Sequence, residues 1–203
     1  MKLLVNGVMI LFLLGGCATS KGDDKASSSS GSTKGKQVSQ NIPAYLKGRP
    51  FELYARAGQK IVPAPAGDLA VARGYAGYQD KGAVRKGLRI TIMTAKSTYQ
   101  VGEKVRVIHV LEALKPGYGI HVMGPKAVRE EYVNGKLASP VKGGASIYDG
   151  AVVPSPGVDF NYEVSVHTFA APGSYTIQWR GGGHPIEGDL QLRSNTLTLQ
   201  VMK

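Results

Sequence analysis

Ala171-Pro-Gly-Ser-Tyr175-Thr-Ile-Gln-Trp179-Arg180 and, after a short interval, Ser194-Asn-Thr-Leu-Thr-Leu-Gln-Val201 decide the fold. In the first stretch Tyr175, Ile177 and Trp179 alternate with Thr176, Gln178 and Arg180; in the second Leu197, Leu199 and Val201 alternate with Thr196, Thr198 and Gln200. A period of two places each apolar set on one face of an extended strand, whereas a helix would scatter it around the axis. Upstream, Tyr162, Val164 and Val166 alternate with Asn161, Glu163, Ser165 and His167, which predicts a third strand with the apolar set inward. Val128 to Val133 runs into Asn134-Gly135, a pair suited to the left-handed backbone of a two-residue hairpin. Ile120 with Val122, and Ile90 with Ile92, add two more strands. Lys104 to Leu111 starts with Val105 and Val107 on one face and continues with Ile108 and Val110 on the other, so this strand is buried on both faces or bulged. Strands at intervals of roughly a dozen residues, with no convincing amphipathic helix, make 87–203 an all-β sandwich of about seven strands.

Three motifs in this region resemble bacterial immunoglobulin-like modules. Tyr99-Gln-Val-Gly102-Glu103 before a strand is similar to their first hairpin, Ala171 to Ile177 to their turn into strand F, and Ser194 to Val201 to their closing strand. The resemblance implies an immunoglobulin-like β-sandwich in which the Tyr175 hydroxyl bonds back to the backbone as a tyrosine corner. It differs from antibody domains in lacking the inter-sheet disulfide and in carrying Trp179 on the late strand. It specifies an architecture and leaves function open.

The amino-terminal end reads differently. Lys2, the apolar stretch Leu3 to Leu14 and the small residues before Cys17 have the layout of an export signal, and the run is too short to span a bilayer, which needs about 20 apolar residues. Leu14-Gly15-Gly16-Cys17 resembles the bacterial lipobox, which implies a signal peptide over 1–16 and lipidation of Cys17, the only cysteine of the chain. Ala18, where inner-membrane lipoproteins often carry Asp, points by the same resemblance to the outer membrane. Residues 17–44, with Ser27-Ser-Ser-Ser30-Gly31-Ser32 and almost nothing apolar before Val38, are predicted to be a flexible tether with a reach of roughly 30 Å. Residues 45–86 are predicted to be extended or partly packed, with short strands at Phe51 to Tyr54 and Leu69 to Val71.

The chain has a formal charge of +11. Residues 17–86 hold twelve Lys and Arg against five Asp and Glu, while 87–203 hold twelve against nine. A basic tether is attracted to anionic headgroups or acidic cell-wall polymer, or is simply a solvated spacer. Nucleic acid is not an expected partner, since no basic-aromatic recognition motif is present.

Chemistry is sparse. The histidines are His109, His121, His167 and His184, and His121-Val-Met123 places an imidazole and a thioether on one strand face, a pair suited to copper. Alternation sets His109 on the face of Val105 and Val107 but His121 and His167 opposite their apolar neighbours, so convergence is not expected. Ser139-Pro-Val-Lys142 and Tyr132-Val-Asn134 match elements of penicillin-recognising enzymes in reversed order, which is attributed to chance. Glu130 and Glu131 are adjacent on a strand and face opposite ways. Gly181-Gly-Gly183 lacks the strand-loop-helix setting of a phosphate loop. Tyr45, Tyr54, Tyr75 and Tyr78, interleaved with Arg49, Arg56, Arg73 and Arg85, are either interface anchors or rings that pack 45–86 onto the sandwich. The sequence therefore leads to a cell-envelope protein anchored to the membrane through the lipid on Cys17, not an enzyme and needing no cofactor, that acts as a binding or scaffolding module; its ligand is left open, with cell-wall polymer and another envelope protein as the candidate partners. The alternative is a periplasmic copper-binding protein using His121 and Met123.

Overall fold

The computed structural model describes residues 43–46, 53–58, 60–122, 125–138, 152–181 and 190–203. Residues 1–16, where a signal peptide is expected, Cys17 and nearly all of the expected tether 17–44 lie outside the described residues, as do Met123, Ser139, Lys142 and His184.

In chain order the elements begin with a single 3-10 turn at Ala44–Leu46, the hairpin β1 (Tyr54–Ala57) and β2 (Lys60–Pro63), the helix α1 (Ala66–Arg73) and a second 3-10 turn at Gly74–Gly77. There follow β3 (Leu88–Met93), β4 (Thr98–Gln100), β5 (Lys104–Ala113), β6 (Gly119–His121), β7 (Glu131–Val133), β8 (Lys136–Leu137), β9 (Val152–Pro154), β10 (Gly157–Asp159), β11 (Ser165–Thr168), β12 (Gly173–Gly181) and β13 (Leu192–Met202). No helix among the described residues is long and apolar enough to cross a membrane.

The fold is an all-β sandwich. In one sheet β5 lies between β3 on one side and β10 and β11 on the other; the second sheet runs β4-β13-β12-β7-β8. The strongly alternating stretches β12 and β13 form the long antiparallel pair of the second sheet, and β4 joins its edge in parallel to β13. Ile90, Ile92, Val105, Val107, Leu111, Ile177, Trp179, Leu199 and Val201 fill the space between the sheets. At about 25 cal/mol per Å² of apolar surface removed from water, such a cluster is the main stabilising contribution. Asn134 (φ 49°) and Gly135 (φ 74°) make the expected left-handed two-residue turn between β7 and β8. The Tyr175 hydroxyl donates to the Ala171 carbonyl at 3.0 Å, as the tyrosine corner requires.

β5 is buried on both faces. Val105, Val107 and Leu111 enter the inter-sheet core, while Ile108 and Val110 join Met93 and Phe160 in a second cluster on the outside of the sheet. What covers that outer face corrects the sequence reading of 45–86. Leu69 to Val71 lies in α1 rather than in a strand: Pro65 precedes the helix, Asp68 sits in its first turn and Arg73 in its last, an arrangement that favours helix through the macrodipole. Leu46, Leu53, Ala64, Ala72 and Tyr75 from this layer are buried against the outer face of β5.

A second correction concerns β11. Its apolar residue Val166 is 47 % exposed, and Ser165 and His167 point inward instead. Register explains this, because Ser165 pairs with Val107 and His167 with Val105, which puts both side chains on the core face. The free edge of β3 is closed by a side chain: Asn195 Oδ1 accepts from the Ile92 N–H at 2.8 Å and its Nδ2 donates to the Ile92 carbonyl at 3.0 Å. An unpaired strand edge invites pairing with other chains, and this amide fork occupies one repeat of it.

Candidate functional site

The hairpin register decides where the most unusual side chain goes. Val133 packs on the inter-sheet core, so Glu131, two residues earlier, shares its inward face, and its side chain is completely buried. Burying an isolated carboxylate costs several kcal/mol unless donors surround it. Three do. Ser165 Oγ donates to Oε1 at 2.8 Å, His109 Nε2 lies 3.2 Å from the same oxygen, and His167 Nε2 lies 3.1 Å from Oε2. Burial by itself would raise the Glu131 carboxyl, but hydrogen bonds from His109 and His167 outweigh it and hold the group well below the ordinary carboxylate range.

An ionised carboxylate only accepts hydrogen bonds, so both imidazoles present Nε2–H toward Glu131. His109 Nδ1 is buried and has no hydrogen-bond partner. The His109 ring stands edge-on to Trp179 at 5.0 Å, and His167 stacks on Phe169 at 6.3 Å. Because Ser165 donates to the carboxylate and both Nε2 atoms act as donors, no imidazole lone pair is placed to take the Ser165 proton. Activation of a serine nucleophile requires that lone pair. The geometry is that of a cross-sheet tie: Glu131 belongs to one sheet, His109, Ser165 and His167 to the other.

Three more carboxylates are buried and tied. On the outer face of β5, Glu112 accepts from Tyr45 Oη at 2.5 Å, from Tyr75 Oη at 2.5 Å and from Arg89 Nε at 2.5 Å. Burial opposes its ionisation, and the bonds from Arg89, Tyr45 and Tyr75 prevail, so its carboxyl is held below the ordinary range. Burial and the neighbouring Glu112 push both tyrosine hydroxyls far up. Asp68 of α1 is gripped by Arg106 of β5 through two bonds, at 2.8 and 2.6 Å. Asp159 meets Lys126, whose Nζ also donates to the His121 carbonyl at 2.9 Å. Burial pushes the Asp159 carboxyl up and the Lys126 amine down.

No family model, curated protein or solved structure matches this chain.

The histidines do converge in part, contrary to the expectation from alternation. His109 and His167 meet at Glu131, whereas His121, half-buried on β6, stays with the Asp159 and Lys126 group. Met123, the second half of the copper motif, is outside the described residues. Among the described residues no three His, Cys, Asp or Glu side chains are disposed to share a metal ion. Glu130 and Glu131 do face apart, Glu131 buried and Glu130 half-buried. The tyrosines Tyr45 and Tyr75 pack their segment onto the sandwich and bond Glu112, and Tyr78 reaches Asn195 at 3.3 Å. Sequence reasoning passed over Glu131 and Glu112 as sites. The signal for Glu131 was its shared parity with Val133 next to a well-defined turn; for Glu112 it was a carboxylate inside a strand apolar on both faces.

Proposed function

We propose that this chain is a lipid-anchored protein of the cell envelope whose sandwich serves as a non-catalytic binding module, presented to cell-wall polymer or another envelope protein at the end of a basic tether. What supports the anchoring is the sequence Leu14-Gly-Gly-Cys17 and the tether behind it. What supports a binding role over catalysis is one geometric observation: the buried carboxylates Glu131, Glu112, Asp68 and Asp159 are each spent on ties between elements. Charged groups used in this way rigidify a scaffold. The outer membrane is the proposed location, following Ala18.

Crosslinking in intact envelopes followed by capture of the full chain tests the reading directly. Recovery of cell-wall fragments or of a defined envelope protein is the expected result. Recovery of neither, with turnover of a cell-wall substrate by the purified chain, would replace a binding role with an enzymatic one. For anchoring, Cys17→Ser is expected to lose lipid label and to leave the membrane fraction or accumulate as precursor, because acyl chains supply about 0.8 kcal/mol per buried methylene. Unchanged fractionation with unchanged label would remove the lipoprotein reading.

A further inference from the structure

The layer over the outer face of β5 differs from the rest of the fold in how it is held. Among the described residues none before Leu88 belongs to the inter-sheet core, so the sandwich does not depend on this layer for its own interior. The layer's own elements are a hairpin of two four-residue strands and an eight-residue helix. Elements of that size are marginal alone and need a surface to pack on. Its polar ties converge on few points. Two of its tyrosine hydroxyls, Tyr45 from the first 3-10 turn and Tyr75 from the second, bond one carboxylate, Glu112, while Asp68 of α1 is held separately by Arg106 and Tyr78 accepts from Asn195.

The two ends of the layer are also unlike. At the carboxyl end Gly82 lies hard against β3: a Cβ there would sit 1.9 Å from the Ile90 carbonyl oxygen, and its N–H bonds Thr91 Oγ1 at 3.2 Å. At the amino end Leu46 and Tyr45 are the contacts beside Pro43, where the chain leads back toward the basic segment. The layer is thus pinned at Gly82, held at α1 by the Asp68–Arg106 pair, and tied at its amino end through Tyr45 to Glu112, the acceptor that Tyr75 shares.

We propose that the described residues of 43–78 form a strap hinged near Gly82 and latched by Glu112, and that loss of the Glu112 charge opens the strap from its Tyr45 end, baring Met93, Ile108, Val110 and Phe160 while the sandwich stays folded. The groups facing Glu112 are Tyr45 and Tyr75 from the strap, Arg89 opposite it on β3, Lys81 over the Tyr75 ring at 4.3 Å, and the apolar Val158 opposite it on β10. An ionised carboxylate can accept all of these bonds at once. A neutral acid or an amide cannot: one of its atoms becomes a donor, turned toward a hydroxyl or a guanidinium. The inference is independent of lipid anchoring and is read on the unlipidated chain.

Amide hydrogen exchange of the mature chain at neutral pH, comparing wild type with Glu112→Gln, tests it. Amides of 54–63 are expected to lose protection by at least about tenfold, the scale of a lost charge-assisted hydrogen bond, and those of 69–73, held also by Asp68–Arg106, by less, with β12 and β13 unchanged. Tyr45→Phe, a milder change at a half-buried ring, is expected to shift the same amides in the same direction. In wild type, a dye that brightens on bare apolar surface should respond as pH falls below the ordinary carboxylate value of 4.5, before Trp179 emission reports loss of the sandwich core. Equal protection in wild type and both variants would overturn the latch. Loss of strap and sandwich protection together would overturn the strap as a separate unit.

Discussion

Glu131 is the residue on which the interior turns. A fully buried carboxylate persists because three donors from the opposite sheet meet it, and each donor is placed by strand register. Glu131→Gln keeps the shape but turns an amide N–H toward an imidazole N–H, so it is expected to destabilise the chain by about 2–3 kcal/mol in urea unfolding. An unchanged midpoint would mean that the tie contributes no net stability. Tyr175→Phe removes one hydrogen bond in an exposed setting and is expected to cost about 0.5–1 kcal/mol. The contrast between the two residues comes from water: an exposed carbonyl that loses its partner is solvated again, and a buried imidazole is not.

At the scale of elements, β3 shows how a side chain can substitute for a strand. Asn195 bonds both backbone groups of Ile92, and Gly82 brings another backbone against Ile90. Asn195→Ala leaves a buried N–H and C=O without partners and is expected to lower stability by about 2 kcal/mol and to raise the tendency to self-associate, measured by light scattering after mild heating. Gly82→Ala forces a Cβ into a backbone oxygen, which cannot move aside as a flexible side chain would. Its cost is expected to reach about 3 kcal/mol, with β3 amides exchanging faster; protection equal to wild type would show that the 79–87 segment shifts freely.

The whole molecule combines a sandwich that needs no disulfide with polar ties that depend on ionised carboxylates. Glu131 and Glu112 both titrate below their ordinary value in the folded chain, so the unfolded chain binds protons first as acid is added. Stability from these groups is fully present above the ordinary value of 4.5 and is lost as pH falls through the lower folded values. Urea midpoints are therefore expected to decline steeply below that pH, less steeply in Glu131→Gln, and to be indifferent to reductant at every pH. A parallel decline in wild type and Glu131→Gln would place the acid sensitivity elsewhere.

Alternation along β12 and β13, together with the Asn134-Gly135 turn, was enough to specify an all-β sandwich, because a period of two and a left-handed turn are local properties that each stretch carries by itself. The tyrosine corner was legible for the same reason: its donor and acceptor lie four residues apart. Inward-facing Ser165 and His167 were not legible. Alternation alone favours burying Val166, and the opposite choice follows from pairing with Val105 and Val107 and from a carboxylate that arrives from the other sheet. The pattern of β5 is equally consistent with burial on both faces and with a bulge, and only the layer containing α1 decides between them, since an apolar outer face is stable only when something covers it. Local periodicity thus determined the strands and their turns, whereas the partners of Glu131 and Glu112, thirty or more residues distant for Ser165, His167 and both tyrosines, exist only once the sheets and the layer have packed.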